Sequence, residues 1–265
     1  NLRKALALLI YLAVTRQPHS RDALATLLWP EKDQTGARAN LRRTLYDLTQ
    51  LLDAQLLAIT PETVTLSPTT PLWLDTECFQ QALADHLPAT LLTAGVPADA
   101  LLALVAATDY YSGDFLAGFT LPDAPAFDDW QFFQRETLRG AFARLLQQVI
   151  ATYIAQERFE EAVRYTRRWL ALDPLEEAVH RQLMQLYAQA GQHAAAIRQY
   201  DECVRILAAE LDVPPDAETT ARYEAIRTRR FPTPAKKTRR QEEGETRDKV
   251  TNDKVTNDKV TNDKV

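Results

Sequence analysis

The chain has 265 residues, 46% of them apolar, a formal net charge of -5 and only seven glycines. That length and composition bury the core of one or two mainly helical domains and exclude a fibrous or wholly disordered chain. Cys78 and Cys203 lie 125 residues apart, a spacing that fits no metal site and reads as two buried thiols of a reduced, cytoplasmic protein. The charge is uneven. Residues 1–43 carry eight Lys or Arg against three acids, a balance of +5, whereas residues 44–134 carry twelve acids and no Lys or Arg. The step predicts that the N-terminal part meets a polyanion and the next part avoids one, against the plainer alternative of solvated charged faces.

The first element is an apolar helix over about Leu2–Val14, too short in its apolar run to span a bilayer and followed by no cleavage site. Asn at position 1 reads as the start of a piece of a longer protein. A second helix begins at Ser20, a good N-cap with Asp22 in the first turn, and ends near Trp29 because Pro30 follows. In the third, "ARANLRRTLYDLTQLL" (37–52), Leu41, Leu45, Leu48 and Leu52 form one stripe at helical spacing. Opposite lie Ala39, Arg43, Tyr46 and Gln50, flanked by Arg42 on one side and by Asn40 and Asp47 on the other. The β-rich runs "LLAIT" and "TVTLS", separated by Pro61 and Glu62, predict a hairpin.

Three helices and a hairpin over residues 1–68 make the order of a winged helix, whose later helix enters the DNA major groove. Arg42 and Arg43 then donate to guanine edges or phosphates, Asn40 pairs with adenine, and Ala39 allows close approach. The candidate DNA contacts are Arg38, Asn40, Arg42, Arg43, Tyr46 and Gln50 of the third helix, Ser20 and Arg21 at the start of the second, and Thr63 and Thr65 of the wing. The hairpin has no basic residue, so its electrostatic contribution is small or unfavourable.

Residues 69–231 read as an all-α domain. Helices are expected between about Asp75 and Tyr111, and eight aromatics between Tyr110 and Phe133 read as core linking those helices to the repeats. Tyr153 over Tyr187, Ala162 over Ala196, Val163 over Ile197 and Arg164 over Arg198 align at an offset of 34, the tetratricopeptide period. Pro174 closes the first unit, the second runs on to Pro214 and Pro215 with a longer helix, and a helix over about Asp216–Arg229 caps the array. From residue 232 the chain is polar and ends in three TNDKV repeats, which predicts a disordered low-complexity tail. Its "KKTRR" reads as a solvated run beside the acidic "QEEGE".

The stretches "RKALALLIYLAV", "HSRDALATLLWPE" and "GARANLRRTLYDL" resemble the OmpR-type winged helix of the bacterial SARP family of transcription activators. "DYYSGDFLAGFTLPDAPAFDDWQFFQRETLR" looks like the opening of the bacterial transcriptional activation domain of that family. The resemblance covers roughly residues 2–230. It implies a DNA-binding activator that recruits RNA polymerase at promoters, commonly at repeated sites, and leaves homodimerisation open. This chain departs from the family in lacking the β-platform usual before the first helix. Thr49 and Gln50 stand where several members carry a further arginine pair, and no phosphate loop is present.

His19, His86, His180 and His193 match no metal-ligand spacing, and Asp128 and Asp129 diverge by about 100° on a helix, so neither catalysis nor a cofactor is expected. Two binding functions remain. One is a sequence-specific activator on double-stranded DNA, with no membrane partner. The other is a tetratricopeptide-type scaffold whose winged helix packs against protein and never meets DNA. The repeat register places Arg144, Gln147, Arg181, Gln185 and Gln189 on the concave groove, where the expected guest is a segment of RNA polymerase or the chain's own acidic stretch between residues 44 and 134.

Overall fold

The computed structural model describes residues 2–52, 56–67 and 72–230, and the tail with its KKTRR and TNDKV runs lies outside them. The first helix, α1, spans Leu2–Thr15. After it come strand β1 (His19–Ser20), α2 (Arg21–Leu28) and α3 (Gln34–Leu51), then β2 (Leu57–Ile59) and β3 (Thr63–Leu66). Helix α3 starts before the expected Ala37 because the Asp33 carboxylate accepts from Gly36 N at 3.2 Å and caps it. The hairpin forms as expected, but it belongs to a three-stranded antiparallel sheet in the order β1-β3-β2, with His19 opposite Val64 and Ser20 opposite Thr63. Two residues carry no alternation, so β1 left no periodic signal. Ser20 serves both elements, its extended backbone pairing in the sheet while its hydroxyl accepts from Ala23 N at 3.1 Å.

Further on, α4 (Asp75–His86), α5 (Ala98–Ala107) and a 3-10 turn (Thr108–Tyr110) precede the long α6 (Pro125–Ala155). The array closes with α7 (Phe159–Leu170), α8 (Glu177–Gln189), α9 (His193–Glu210) and α10 (Ala217–Arg227). Successive helices from α6 to α9 pack on one another, and α10 lies against both α8 and α9. Tyr153 and Tyr187, and Ala162 and Ala196, which repeat at the tetratricopeptide offset, are all buried. The second unit's outer helix is longer, α9 having 18 residues against 12 in α7.

The apolar side chains form two clusters. One gathers Leu8, Leu12, Leu24, Leu28, Leu41, Leu45, Leu48 and Val64, together with Leu121, Ala124 and Phe127. The other runs from Phe79 and Leu104 through Leu145 and Ile150 to Leu183 and Ile226. Helix α6, 31 residues long, has its first turn in the former and the stretch from Leu138 to Tyr153 in the latter. The connection between α4 and α5 is tied to the same helix. Gln148 accepts from Leu92 N at 2.8 Å and donates to Leu92 O at 3.0 Å, and Thr152 Oγ1 accepts from Val96 N at 3.2 Å.

Two expectations need correction. Of the aromatics between Tyr110 and Phe133, Phe127 and Trp130 pack in the N-terminal cluster, but Phe132 and Phe133 are 48% and 66% exposed. The buried face of α6 runs through Phe127, Gln131 and Leu138, and residues one and two places past Gln131 are turned about 100° and 200° away from it. Of the two thiols only Cys203 is buried, with its pKa pushed up to about 11 by that burial, while Cys78 is half-buried.

Candidate DNA-binding surface

Ala37, Leu41, Thr44, Leu45 and Leu48 bury one side of α3. On the other side Ala39, Arg42, Arg43, Tyr46 and Gln50 are exposed, Tyr46 by 64%, and Asn40 is half-buried. Neither Arg42 nor Arg43 has an ion-pair partner among the described residues. Arg38 is differently placed. Its guanidinium grips the Asp22 carboxylate through Nε and, at 2.6 Å, through Nη2, which holds α2 on α3 and keeps the Asp22 carboxyl below the usual carboxylate range. Arg38 therefore acts first as a clamp between the two helices, a role that the helical spacing alone did not show because its partner lies sixteen residues away.

Beside this face the start of α2 meets the wing. Arg21 N, the first of α2, donates to Glu62 O at 2.9 Å. A recess of about 380 Å³ there is lined by Ser20, Arg21, Arg42 and Glu62 among others. Within the half-buried Arg21 side chain, Nε is buried without an acceptor. A buried donor without an acceptor costs about 1–3 kcal/mol. The wing hydroxyls are less free: Thr63 Oγ1 lies 3.1 Å from Thr60 Oγ1, and Thr65 Oγ1 donates to Leu66 O at 3.3 Å.

Other N-terminal cations face the rest of the chain. Lys4, only 8% exposed, sits with Nζ 2.8 Å from Asp123 Oδ2, 3.6 Å from Glu31 Oε1 and 5.4 Å from the Trp29 ring centre. Arg16 donates to Glu77 Oε2 at 2.7 Å, and Tyr11 meets Trp130 edge-on with ring centres 4.8 Å apart. So part of the charge step seen in the sequence is the two halves of the chain attracting each other, through Lys4–Asp123 and Arg16–Glu77. The ion pair carries a pH signature. Lys4 holds the Asp123 carboxyl below its ordinary value, so the pair's contribution is present above the unfolded value and disappears as pH falls through the depressed one. Asp123→Asn is expected to lower the melting midpoint at neutral pH by the equivalent of about 1 kcal/mol, since the carboxylate is partly solvated. The gap to the parent should close in acid below the usual carboxylate range, as followed by thermal melts across pH.

At the far end, Arg181 does not project into an open groove. It donates through Nη1 to Asp216 Oδ2 at 2.8 Å and Thr219 Oγ1 at 3.0 Å, and its Nη2 lies 3.3 Å from Glu218. Helix α10 brings these acids over α8, a long-range meeting that repeat register could not show. The acidic stretch is not the partner of Arg181. Arg144 is exposed, Gln147, Gln185 and Gln189 are half-buried, and Gln189 Oε1 is buried without a partner. Arg181→Glu should loosen α10 and cost about 1–3 kcal/mol in thermal stability, whereas Arg144→Glu should leave the midpoint unchanged. His180 Nε2 is 2.9 Å from Pro174 O and Nδ1 2.8 Å from Gln199 Nε2, a structural role. Among the described residues there is no group of His, Cys, Asp and Glu arranged to hold a metal, and no helix long and apolar enough to cross a membrane.

Three helices closed by a small sheet, with an exposed polar third helix, make a winged helix, and a stacked helical array follows it. The chain belongs to the bacterial transcriptional activator domain family, whose model matches residues 74–227, and with a winged helix ahead of that domain it is a SARP-type regulator. The family is one of transcription regulators and not a class of enzymes. The fold is similar to that of Mycobacterium tuberculosis EmbR in complex with a low-affinity phosphopeptide, with a TM-score of 0.61 and 25% identity over 94% of this chain and 65% of that one. The chain thus spans just under two thirds of the EmbR chain. No curated protein sequence matches it.

Proposed function

We propose that this regulator binds specific sites on double-stranded DNA through α3 and activates transcription by recruiting RNA polymerase through its helical domain, acting in the cytoplasm where the chromosome lies. The observation that carries the reading is the outer face of α3: Arg42 and Arg43 remain exposed and unpaired among the described residues, while Lys4, Arg16 and Arg38 are engaged inside the protein. Arg42, Arg43, Tyr46 and Gln50 enter the major groove, with Asn40 at the edge of the same face. Ser20, Arg21 and the α2 N-terminus, which line the recess beside α3, seat a phosphate. Thr63 and Thr65 contribute at most from the wing. In the scaffold alternative the winged helix only packs against protein; it docks on the rest of the chain through α1, α2 and their surroundings, and the exposed α3 is what favours DNA. A mobility-shift titration on DNA from upstream of the protein's own coding sequence, across a salt series, tests the proposal: binding whose affinity does not fall with salt would refute a phosphate-contacting site.

For recruitment, Arg144, Gln147, Gln185 and Gln189 offer a surface on α6 and α8 without Arg181. Arg144→Glu should reduce promoter-dependent transcription while sparing DNA affinity.

A further inference from the structure

Residues 44–134 hold twelve acids and no Lys or Arg, and DNA binding gives no reason for them. Between α4 and α5 this stretch forms a groove of about 650 Å³. Its walls include the small side chains Ala82, Ala103 and Ala106, together with the carboxylates Glu77 and Asp85. Arg16, the one Lys or Arg on its lining, is already bound to Glu77. Trp73 also lines the groove, 69% exposed and tilted against Tyr110 with ring centres 6.3 Å apart, and Leu102 of α5 is 71% exposed. The groove is preformed, because the Leu92–Val96 connection that joins its two helices is bonded to Gln148 and Thr152 of α6.

We propose that the α4–α5 groove docks a basic amphipathic helix of a partner protein. Small side chains let a third helix backbone approach closely, and an indole left in water at the edge is the kind of anchor that an apolar face covers. The charge selects the guest: with Glu77 held by Arg16, Asp85 remains for a Lys or Arg of the incoming helix, while a stretch without Lys or Arg gives nucleic acid and acidic peptides no partner. Among the described residues no strand lines the groove, so an extended peptide finds no strand to pair with there. The inference is independent of the DNA-binding reading and concerns a different face of the chain.

The test uses the whole chain and a fluorescent synthetic Leu/Lys amphipathic helix about five turns long, its Leu/Glu counterpart, and a Leu/Lys version of equal charge broken by two central prolines. The Leu/Lys helix should bind and weaken as salt rises, and the other two should not bind. Asp85→Lys and Trp73→Ala, both at solvent-facing positions, should each weaken it about tenfold or more. Asp129→Lys, on an exposed position of α6 outside the groove, should leave it unchanged. Equal binding of the proline-broken peptide, or equal loss in Asp129→Lys and Asp85→Lys, would show attraction to net charge alone and overturn the proposal. So would unaltered affinity in Trp73→Ala and Asp85→Lys.

Discussion

Replacing Arg42 and Arg43 together by Ala should leave the fold intact and, on the proposed DNA-binding reading, remove most specific DNA binding. Both side chains are exposed and neither has an ion pair among the described residues, so their loss takes nothing from the core. Each arginine that contacts a phosphate contributes about 0.9 to the slope of log affinity against log salt, and the double variant should lose up to twice that. Each that contacts a guanine edge contributes about 1–3 kcal/mol at one operator position, so affinity should fall about tenfold or more with relaxed sequence preference there. Circular dichroism and mobility shifts on the same preparations separate the two effects. Unchanged affinity in a normally helical double variant would remove α3 as the reading helix. Arg38→Ala serves as the contrast. It releases the Asp22 clamp between α2 and α3, so stability should fall along with binding.

Phe127→Ala should be among the most damaging single substitutions outside the repeats. The ring is 0% exposed in the N-terminal cluster, though it comes from the helix that carries the second cluster, and it meets both Phe119 and Trp130. Truncating a buried Phe costs about 3–5 kcal/mol. For a domain pair of this size that corresponds to a fall in melting midpoint of about 10 °C. Because α6 is continuous from Pro125 to Ala155, the parent should melt in one calorimetric transition and the variant should shift the whole of it. A variant in which a small early transition separates from an unmoved main one would show that the winged helix and the helical array unfold independently.

What could be read from residues alone was whatever is local or periodic. The leucine stripe of 37–52, the Ser20 cap, the hairpin around Pro61 and the 34-residue offset each follow from spacing within one element or one repeat, and the structure has a helix, cap, hairpin or buried pair at each. The exposed face with Arg42, Arg43 and Tyr46 was legible for the same reason: helical periodicity fixes which side chains leave the core. What tertiary structure decided was which charges meet. Arg38 finds Asp22, Arg181 finds Asp216, and Lys4 finds Asp123 across far larger separations. Each of these pairings removes a cation that composition alone would have assigned to a ligand. Strand β1 is too short to carry a pattern, and Phe132 and Phe133 follow α6's rotation and not their own hydrophobicity. Sequence thus determined the class of fold and the helix that faces outward, because those depend on near neighbours. The packing of α2 on α3, of α10 on α8 and of α1 on the segment before α6 decided which of the charged groups remain available, because an ion pair is made by distance in space and sequence separation does not encode it.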